Sequence, residues 1–260
     1  MFLAHFVANI FTMQRLGILD WGIGGVSIYK LVKERLGDIP VTYFSDTGAT
    51  PYGKMTRSEL VTRLDAVISF LKSRGVTHLV IGCNAASTAI PFLKVRDIKI
   101  EGMIENAVAE TVKYQPTRLG LIGGRRTVLS GVYRKSFAQH GVNVEQRIAQ
   151  PLSGLIESGD ISSERLCLEA GHILGPIRGC SHILLACTHY PAIMPVLRSV
   201  VSPAAVFIDP AGSLVTKIES WDLDRADKDE FFTSGDPKSM KRSARLAFAV
   251  DIESVLVTQF

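Results

Sequence analysis

The sequence lacks any apolar run close to the roughly 20 residues that a membrane-spanning helix requires. Its longest apolar runs, at positions 79–83 and 183–187, have the length of buried strands instead. We therefore expect no membrane partner. With 260 residues, of which 47% are hydrophobic, the chain is long enough for one large domain or two medium ones with cores of their own.

The chain also has little excess of charge of either sign. Its 29 Lys and Arg residues exceed its 25 Asp and Glu residues by four, which gives a formal net charge of +4. An excess this small, spread along the chain, does not indicate a nucleic-acid partner. The densest basic stretch has the spacing of one solvated helix face: Lys238, Lys241, Arg242 and Arg245.

Cysteine is sparse, with four residues and no tight pairing. This usage excludes a disulfide scaffold and suits a reducing compartment, where thiols are free to react. The apolar opening, Met1 to Thr12, has neither the basic region nor the small-residue cleavage site of a signal peptide. We interpret residues 1–14 as a loosely packed extension, or as residues added by a start codon assigned too far upstream. We expect a cytoplasmic protein.

Short apolar runs alternate with helix-period segments along most of the chain. This alternation predicts an α/β fold with parallel sheets flanked by helices. Ligands of such sheets bind at the carboxyl ends of the strands, so the residues after each strand are the candidates for chemistry. The predicted strands are 15–20, 41–46, 77–84, 118–124 and 182–188, and the predicted helices include 57–74 and 131–140.

The chain also carries a weak internal repeat. Residues 16–20 (LGILD) resemble residues 119–123 (LGLIG), and residues 79–84 (LVIGCN) resemble residues 184–189 (LLACTH). We infer two similar α/β domains with an active-site cleft between them. The predicted domains are 15–103 plus 212–260, and 104–211.

Cys83 and Cys187 occupy equivalent places in this repeat, because each ends an apolar strand and precedes a predicted helix start. The positive end of a helix dipole lowers the pKa of a thiol and makes thiolate available. One thiolate and one thiol that face each other can remove a Cα proton and return one from the other side. The alternative, a small buried apolar residue, is our interpretation of Cys167 and Cys180.

The sequence also contains partial patterns for a zinc site and for a dinucleotide site. A zinc site is not expected, because the candidate ligands lack paired short spacings and two of them lie at the opposite end of a strand. A dinucleotide site is weakly indicated, since the third glycine of the G-x-G-x-x-G pattern would fall at Ser27. The zinc candidates are Cys180, His182, Cys187 and His189, and the glycines are Gly22, Gly24 and Gly25.

From Arg15 onward the sequence resembles the glutamate racemases of the aspartate/glutamate racemase superfamily. Their Asp-Ser-Gly-x-Gly-Gly pattern appears as DWGIGG at 20–25, and their Phe-Gly-Asp-Thr and Pro-Tyr-Gly pattern as FSDTGATPYG at 44–53. Their two cysteine motifs appear as CNAAS at 83–87 and ACTHYP at 186–191. Further matches are LIESG at 155–159, IDPA at 208–211 and FFTSGDP at 231–237.

The resemblance implies an amino-acid racemase that needs no cofactor, and no lysine sits in a recognisable pyridoxal-phosphate context. Members of the family are often homodimers. The implied acid/base pair is Cys83 and Cys187. Asp20, Glu157 and His189 match residues that tune the thiols or hold the substrate ammonium, and Asp46 matches a further family acid. Asn84, Thr127 and Thr188 match carboxylate binders; Pro51, Tyr52 and Gly53 match the loop that holds the distal carboxylate.

Each implied role has a simpler alternative. Asp20 can cap a turn, His189 can bond locally in a first turn, and Glu157 can be a solvated helix residue. Taken alone, Glu157 and Asp46 favour the simpler interpretation.

Three substrate-binding positions depart from the family pattern, because Trp21, Ala85 and Gly124 stand where the family has a small hydroxyl residue. Each lost partner of a buried charged group costs roughly 1 to 3 kcal/mol. Three functions therefore stay open: glutamate racemase with a role in peptidoglycan synthesis, a racemase or epimerase with another substrate, and a binding protein without turnover.

Overall fold

The computed structural model describes residues 13–225 and 228–259. Within them the chain forms two separate parallel sheets flanked by helices, which confirms the predicted fold class. The extension predicted at Met1 to Thr12 lies outside the described residues. No helix in the described part of the chain combines the length and the apolar character needed to cross a membrane.

The helices and strands follow one another in the alternating order that the sequence predicts. The strands are β1 Arg15–Asp20, β2 Val41–Ser45, β3 Val76–Ile81, β4 Lys99–Gly102, β5 Leu119–Gly123, β6 Val144–Ile148, β7 His182–Ala186, β8 Val206–Ile208, β9 Glu230–Thr233 and β10 Leu256–Val257. The helices are α1 Val26–Leu36, α2 Arg57–Ser73, α3 Asn84–Ser87, α4 Met103–Lys113, α5 Arg125–Leu129, α6 Val132–Ala138, α7 Gln150–Glu157, α8 Glu164–Leu174, α9 Met194–Ser199, α10 Ala211–Glu219 and α11 Pro237–Phe248. Short 3-10 helices cover Ile90–Phe92, Gly175–Ile177 and Tyr190–Ile193.

The two sheets repeat the same strand order. The first sheet runs β10-β9-β2-β1-β3-β4 and the second runs β6-β5-β7-β8, so the order β2-β1-β3-β4 is matched strand for strand by β6-β5-β7-β8. The internal repeat read in the sequence corresponds to β1 with β5 and to β3 with β7. Strands β9 and β10 extend the first sheet beside β2. The domain boundaries given above stay a prediction.

The predicted strands are those with continuous apolar runs. Strands β2 and β5 are buried at every position, and β1 and β7 at every position but the first. Helices on both faces of a parallel sheet produce this pattern, because no strand face is left to water. Helix α2 begins at the predicted residue, where Thr56 caps it and forms a capping box with Glu59.

A buried carboxylate at the end of β2 fixes the loop that leads into α2. Asp46 is fully buried and accepts hydrogen bonds from the Tyr52 hydroxyl at 2.7 Å and from the Ser234 hydroxyl at 2.7 Å. Arg63 on α2 donates to both of its oxygens, at 2.8 Å and 2.5 Å. Asp46 thereby ties together the loop 47–56, α2 and the end of β9.

We expect Asp46→Asn to lower the free energy of unfolding by about 3 kcal/mol, because it removes the buried carboxylate charge that Nε and Nη2 of the partly buried Arg63 guanidinium contact. The measurement is urea unfolding followed by circular dichroism. Ser234→Ala is the control, since it removes one hydrogen bond to Asp46 and should cost about 1 kcal/mol. Equal losses in the two variants would contradict a central role for the ion pair.

Candidate active site

A cavity of about 330 Å³ opens where the carboxyl ends of the two sheets meet. It is lined by residues that follow strands, as the rule for parallel sheets requires. The predicted residues in its wall are Asp20, Trp21, Pro51, Tyr52, Gly53, Cys83, Asn84, Ala85, Gly124, Thr127, Cys187, Thr188 and His189. Glu157 and Asp46 lie behind the wall, where they bond to His189 and Tyr52.

The two cysteines reach the cavity from equivalent strands. The helix predicted after Cys83 does begin at Asn84, whereas no regular α-helix follows Cys187 directly. Cys83 precedes a helix of only four residues, Asn84–Ser87. Cys187 precedes a turn and a 3-10 helix, and a regular α-helix begins only at Met194. A helix dipole acts mainly within the first turn of a helix, so it does not act on Cys187 as predicted.

Cys187 contacts an imidazole instead. His189 Nδ1 lies 3.7 Å from Cys187 Sγ, and His189 Nε2 lies 2.6 Å from Glu157 Oε2. Burial alone would lower the pKa of His189, but its hydrogen bonds with Cys187 and Glu157 outweigh burial and hold that pKa well above the usual value. The protonated imidazole therefore lies between a carboxylate and a thiol. The simpler interpretation of Glu157 as a solvated helix residue is wrong.

Cys83 has the opposite surroundings. Burial, reinforced by the nearby Asp20 carboxylate, raises the pKa of the Cys83 thiol well above its ordinary value. The expectation that a helix start would lower this pKa is wrong, because desolvation dominates. Burial also raises the pKa of Asp20, whose neighbour His189 opposes the shift.

Asp20 does cap the turn after β1, since it accepts hydrogen bonds from the N–H groups of Trp21 and Gly25 at 2.6 Å each. It also accepts the Thr188 hydroxyl at 3.0 Å. The turn residue is thus bound to the loop that carries His189. Its simpler interpretation as a turn cap is confirmed, and its role toward the thiols or the substrate stays a prediction.

The glycine run after β1 allows close packing beside these carboxylates. A Cβ on Gly22 would lie 2.1 Å from Glu157 Oε2, and one on Gly24 would lie 2.5 Å from His189 Nδ1. The N–H of Ile23 donates to Glu157 Oε2 at 3.0 Å. Packing against the Glu157 and His189 side chains accounts for Gly22 and Gly24 without a dinucleotide.

Two polar groups in the cavity wall are free to bind a ligand. Asn84 is 3% exposed and accepts the Tyr133 hydroxyl at 2.6 Å, while its Nδ2 has no hydrogen-bond partner among the described residues. Thr127 is buried at the start of α5. An unpaired buried amide is costly, so Asn84 Nδ2 favours an acceptor in the cavity.

The three departures from the family pattern lie in the same wall. The Trp21 indole is half-buried and donates to the Ala49 carbonyl at 3.1 Å. Ala85 and Gly124 offer no side-chain polar group. These three positions consequently add no free side-chain hydroxyl to the cavity wall.

Sequence reasoning missed six residues of the lining: Lys54, Arg125, Gln150, Ser153, Gly154 and Ala186. Lys54 and Arg125 are exposed at the mouth, and among residues 13–225 and 228–259 no carboxylate forms an ion pair with either. Gln150 follows β6, so the rule that strand ends carry chemistry would have found it. That strand was not recognised in the sequence.

The fold and the cavity together define an α/β protein with one thiol from each of two equivalent sheets at a shared site. A family model described as Asp/Glu/Hydantoin racemase matches residues 16–218. The chain is 33% identical over 207 residues to a glutamate racemase of Desulforudis audaxviator, covering 76% of each chain. It is 28% identical over 255 residues to glutamate racemase 2 of Caldanaerobacter subterraneus, covering 93% of this chain and 96% of that one.

Solved structures agree on the fold. The crystal structure of glutamate racemase isoform RacE1 from Bacillus anthracis has a TM-score of 0.86 at 21% identity, covering 95% of this chain and 97% of that one. The chain belongs to the Asp/Glu/Hydantoin racemase family and is an isomerase of the racemase type.

We expect iodoacetamide near neutral pH to alkylate Cys187 before Cys83, because Cys187 contacts a protonated imidazole while the pKa of Cys83 is raised. Peptide mass spectrometry on a Cys167→Ser background measures the order. Cys180 is the internal control, since it is 1% exposed and away from the cavity and should stay unmodified. Faster modification of Cys83 would contradict the electrostatic assignment.

Proposed function

We propose that this protein is a glutamate racemase that interconverts L- and D-glutamate by proton transfer at Cα between Cys83 and Cys187. One observation carries the proposal: a thiol follows the equivalent strand of each sheet, and both thiols line one cavity. Two acid/base groups on opposite sides of a carbon are what inversion of that carbon requires.

The surroundings of the two thiols differ in a way that suits one thiolate and one thiol at rest. The protonated His189, held by Glu157, lies 3.7 Å from Cys187 Sγ and places positive charge beside that sulfur. The raised pKa of Cys83 keeps its proton in place. A pair in which one cysteine is protonated and the other is deprotonated is the form that can start the reaction.

The step balances with one proton moved through each thiol. The Cys187 thiolate removes the Cα proton, and the resulting carbanion is stabilised by its carboxylate and the groups that bind it. Cys83 then donates its proton to the opposite face, which leaves the inverted amino acid, a Cys187 thiol and a Cys83 thiolate. Reaction of the other enantiomer in the reverse sense restores the first protonation state.

Groups around the cavity suit the two carboxylates of glutamate. The unpaired Asn84 amide is a donor for the α-carboxylate close to Cys83. At the mouth, Lys54 and Arg125 supply positive charge toward the distal carboxylate. In this role the protein would provide D-glutamate for peptidoglycan.

A racemase of the same family with a shifted substrate is the second candidate. The half-buried indole of Trp21, in the same wall as Ala85 and Gly124, favours it because these three positions offer apolar surface in place of hydroxyls. Such a substrate would keep the α-carboxylate and Cα chemistry but carry a different side chain. A binding protein without turnover would not require the contact of His189 with Cys187.

We expect wild-type protein in D2O to exchange the Cα–H of L- and D-glutamate, followed by proton NMR. In a two-base reaction, deuterium enters the product enantiomer first, since the second thiol donates a solvent-derived deuteron. Cys83→Ala and Cys187→Ala should each abolish inversion, and Cys167→Ala is the matched control that keeps it.

A panel of other amino acids separates the remaining candidates. Exchange of another amino acid alone would establish a shifted substrate. Absence of exchange with every amino acid would sink the racemase proposal and support a binding protein.

We expect Glu157→Gln to move the alkaline limb of the kcat/KM profile to lower pH. Glu157 helps raise the pKa of His189, so its neutralisation lowers that pKa, and the imidazolium that pairs with the Cys187 thiolate is lost earlier as pH rises. Initial rates of inversion from pH 6 to 10, followed by circular dichroism, measure the limb. Glu164→Gln, a remote change at the start of α8, should leave it in place; an unmoved limb in Glu157→Gln would remove Glu157 from the tuning of His189.

A further inference from the structure

We propose that the Gln150 carboxamide binds the side-chain carboxylate of the substrate and replaces the hydroxyl that position 124 lacks. The inference rests on the proposed racemase function and adds a specificity-determining residue to it.

Gln150 crosses the mouth of the cavity. It is the first residue of α7, in the second half of the chain, and its side chain extends to the loop of Gly53 in the first half. A Cβ on Gly53 would lie 3.2 Å from Gln150 Oε1, and one on Gly124 would lie 3.1 Å from the same atom. Side chains at these two positions would therefore be in tight contact with the amide, which fits best against two glycines.

Two hydrogen bonds fix the orientation of this amide. Gln150 Oε1 accepts from the Arg125 N–H at 3.2 Å, and Gln150 Nε2 donates to Ser153 Oγ at 3.3 Å. An amide nitrogen has two N–H groups, so one donor of Nε2 is left over. The oxygen is already engaged, and the group that the side chain offers to a ligand is a donor.

The charge at the mouth selects the ligand chemistry. Lys54 and Arg125 line the cavity beside Gln150 without an ion-pair partner among the described residues, and Asp20, deep in the cavity, is the one carboxylate in the lining. A donor amide beside two cations suits a carboxylate and disfavours an amide or ammonium group. The substrate class is thus an amino acid with an acidic side chain.

The pairing of Gly124 with Gln150 explains why the departure at position 124 need not abolish binding. A threonine at 124 would place its Cβ 3.1 Å from Gln150 Oε1, so the amide would have to shift by a few tenths of an ångström from its present position. The hydrogen-bonding group for the substrate carboxylate is then supplied by the first turn of α7 and not by the loop after β5.

Gln150→Glu is the discriminating variant. The substituted carboxylate side chain keeps the acceptor for the Arg125 N–H and has nearly the same shape. It has no N–H donor, however, and it adds a negative charge to the mouth of the cavity. We expect KM for both enantiomers of glutamate to rise about tenfold or more with kcat within about threefold, since a charge-assisted hydrogen bond is lost. The ratio of kcat/KM for glutamate over glutamine should fall. Gln139→Glu, an exposed residue that follows α6, is the charge-matched control and should change neither value.

A double-mutant cycle tests whether a side chain at position 124 and the Gln150 side chain compete for the same space. Gly124→Thr alone should raise KM, whereas Gly124→Thr with Gln150→Ser should recover most of the loss, because the serine leaves room for the threonine hydroxyl. Thermal unfolding of each variant checks that the chain is folded.

The outcomes separate the two proposals. Wild-type inversion of glutamate with unchanged KM in Gln150→Glu would overturn the role of Gln150 and leave the racemase intact. Wild-type inversion of non-acidic amino acids alone would do the same. No inversion of any amino acid would overturn the proposed function itself, and the inference with it.

Discussion

Two carboxylates hold the carboxyl edges of the sheets together, and the site depends on them. Asp20, the last residue of β1, accepts a hydrogen bond from the hydroxyl of Thr188 in the second half of the chain, at 3.0 Å. Glu157, on α7, accepts the N–H of Ile23 from the first half at 3.0 Å and bonds to His189 at 2.6 Å. Each carboxylate thus bonds to the opposite half of the chain. The turn after β1 can pack against them because Gly22 and Gly24 carry no side chain at the closest approaches.

These bonds also explain why the electrostatics of the site are uneven. A carboxylate removed from water needs partners, and burial raises the pKa of Asp20 even with Thr188 and backbone N–H groups around it. Glu157 has His189 as its partner, and their contact keeps the imidazole charged. The two thiols occupy equivalent strand ends, yet one contacts a cation and the other an anion. The fold repeats, and the side chains around the repeat do not.

The sequence predicted the fold class and the central strands because those strands have a simple signal. Strands β1, β5 and β7 are mainly apolar runs, β2 is rich in β-branched and aromatic residues, and Thr56 marks the start of α2. The edge strand β6 escaped, since Val144–Ile148 reads Val-Glu-Gln-Arg-Ile and none of its positions is fully buried. With that strand unrecognised, Gln150 had no strand end to belong to.

The pKa values of the site residues could be predicted less well than the positions of those residues in the fold. The motifs brought the cysteines and their neighbours to one cavity, but the pKa of Cys83 depends on desolvation and on Asp20, 63 positions away in the chain. Glu157 looked like a surface residue because its partner His189 is 32 positions further along and joins it only in the folded protein. Local patterns carry helix starts and strand periods, whereas burial and long-range charge pairs arise from the packed structure.

The indole of Trp21 gives the cavity an intrinsic fluorophore. The protein has two tryptophans. Trp221 is 6% exposed, packs beside His78 with ring centroids 5.2 Å apart, and lies outside the cavity lining. Trp21 stands in the wall itself, anchored through its N–H to a backbone carbonyl. Occupancy of the site therefore alters the solvent around one emitter and leaves the other as an internal reference, so ligand titrations need no added label.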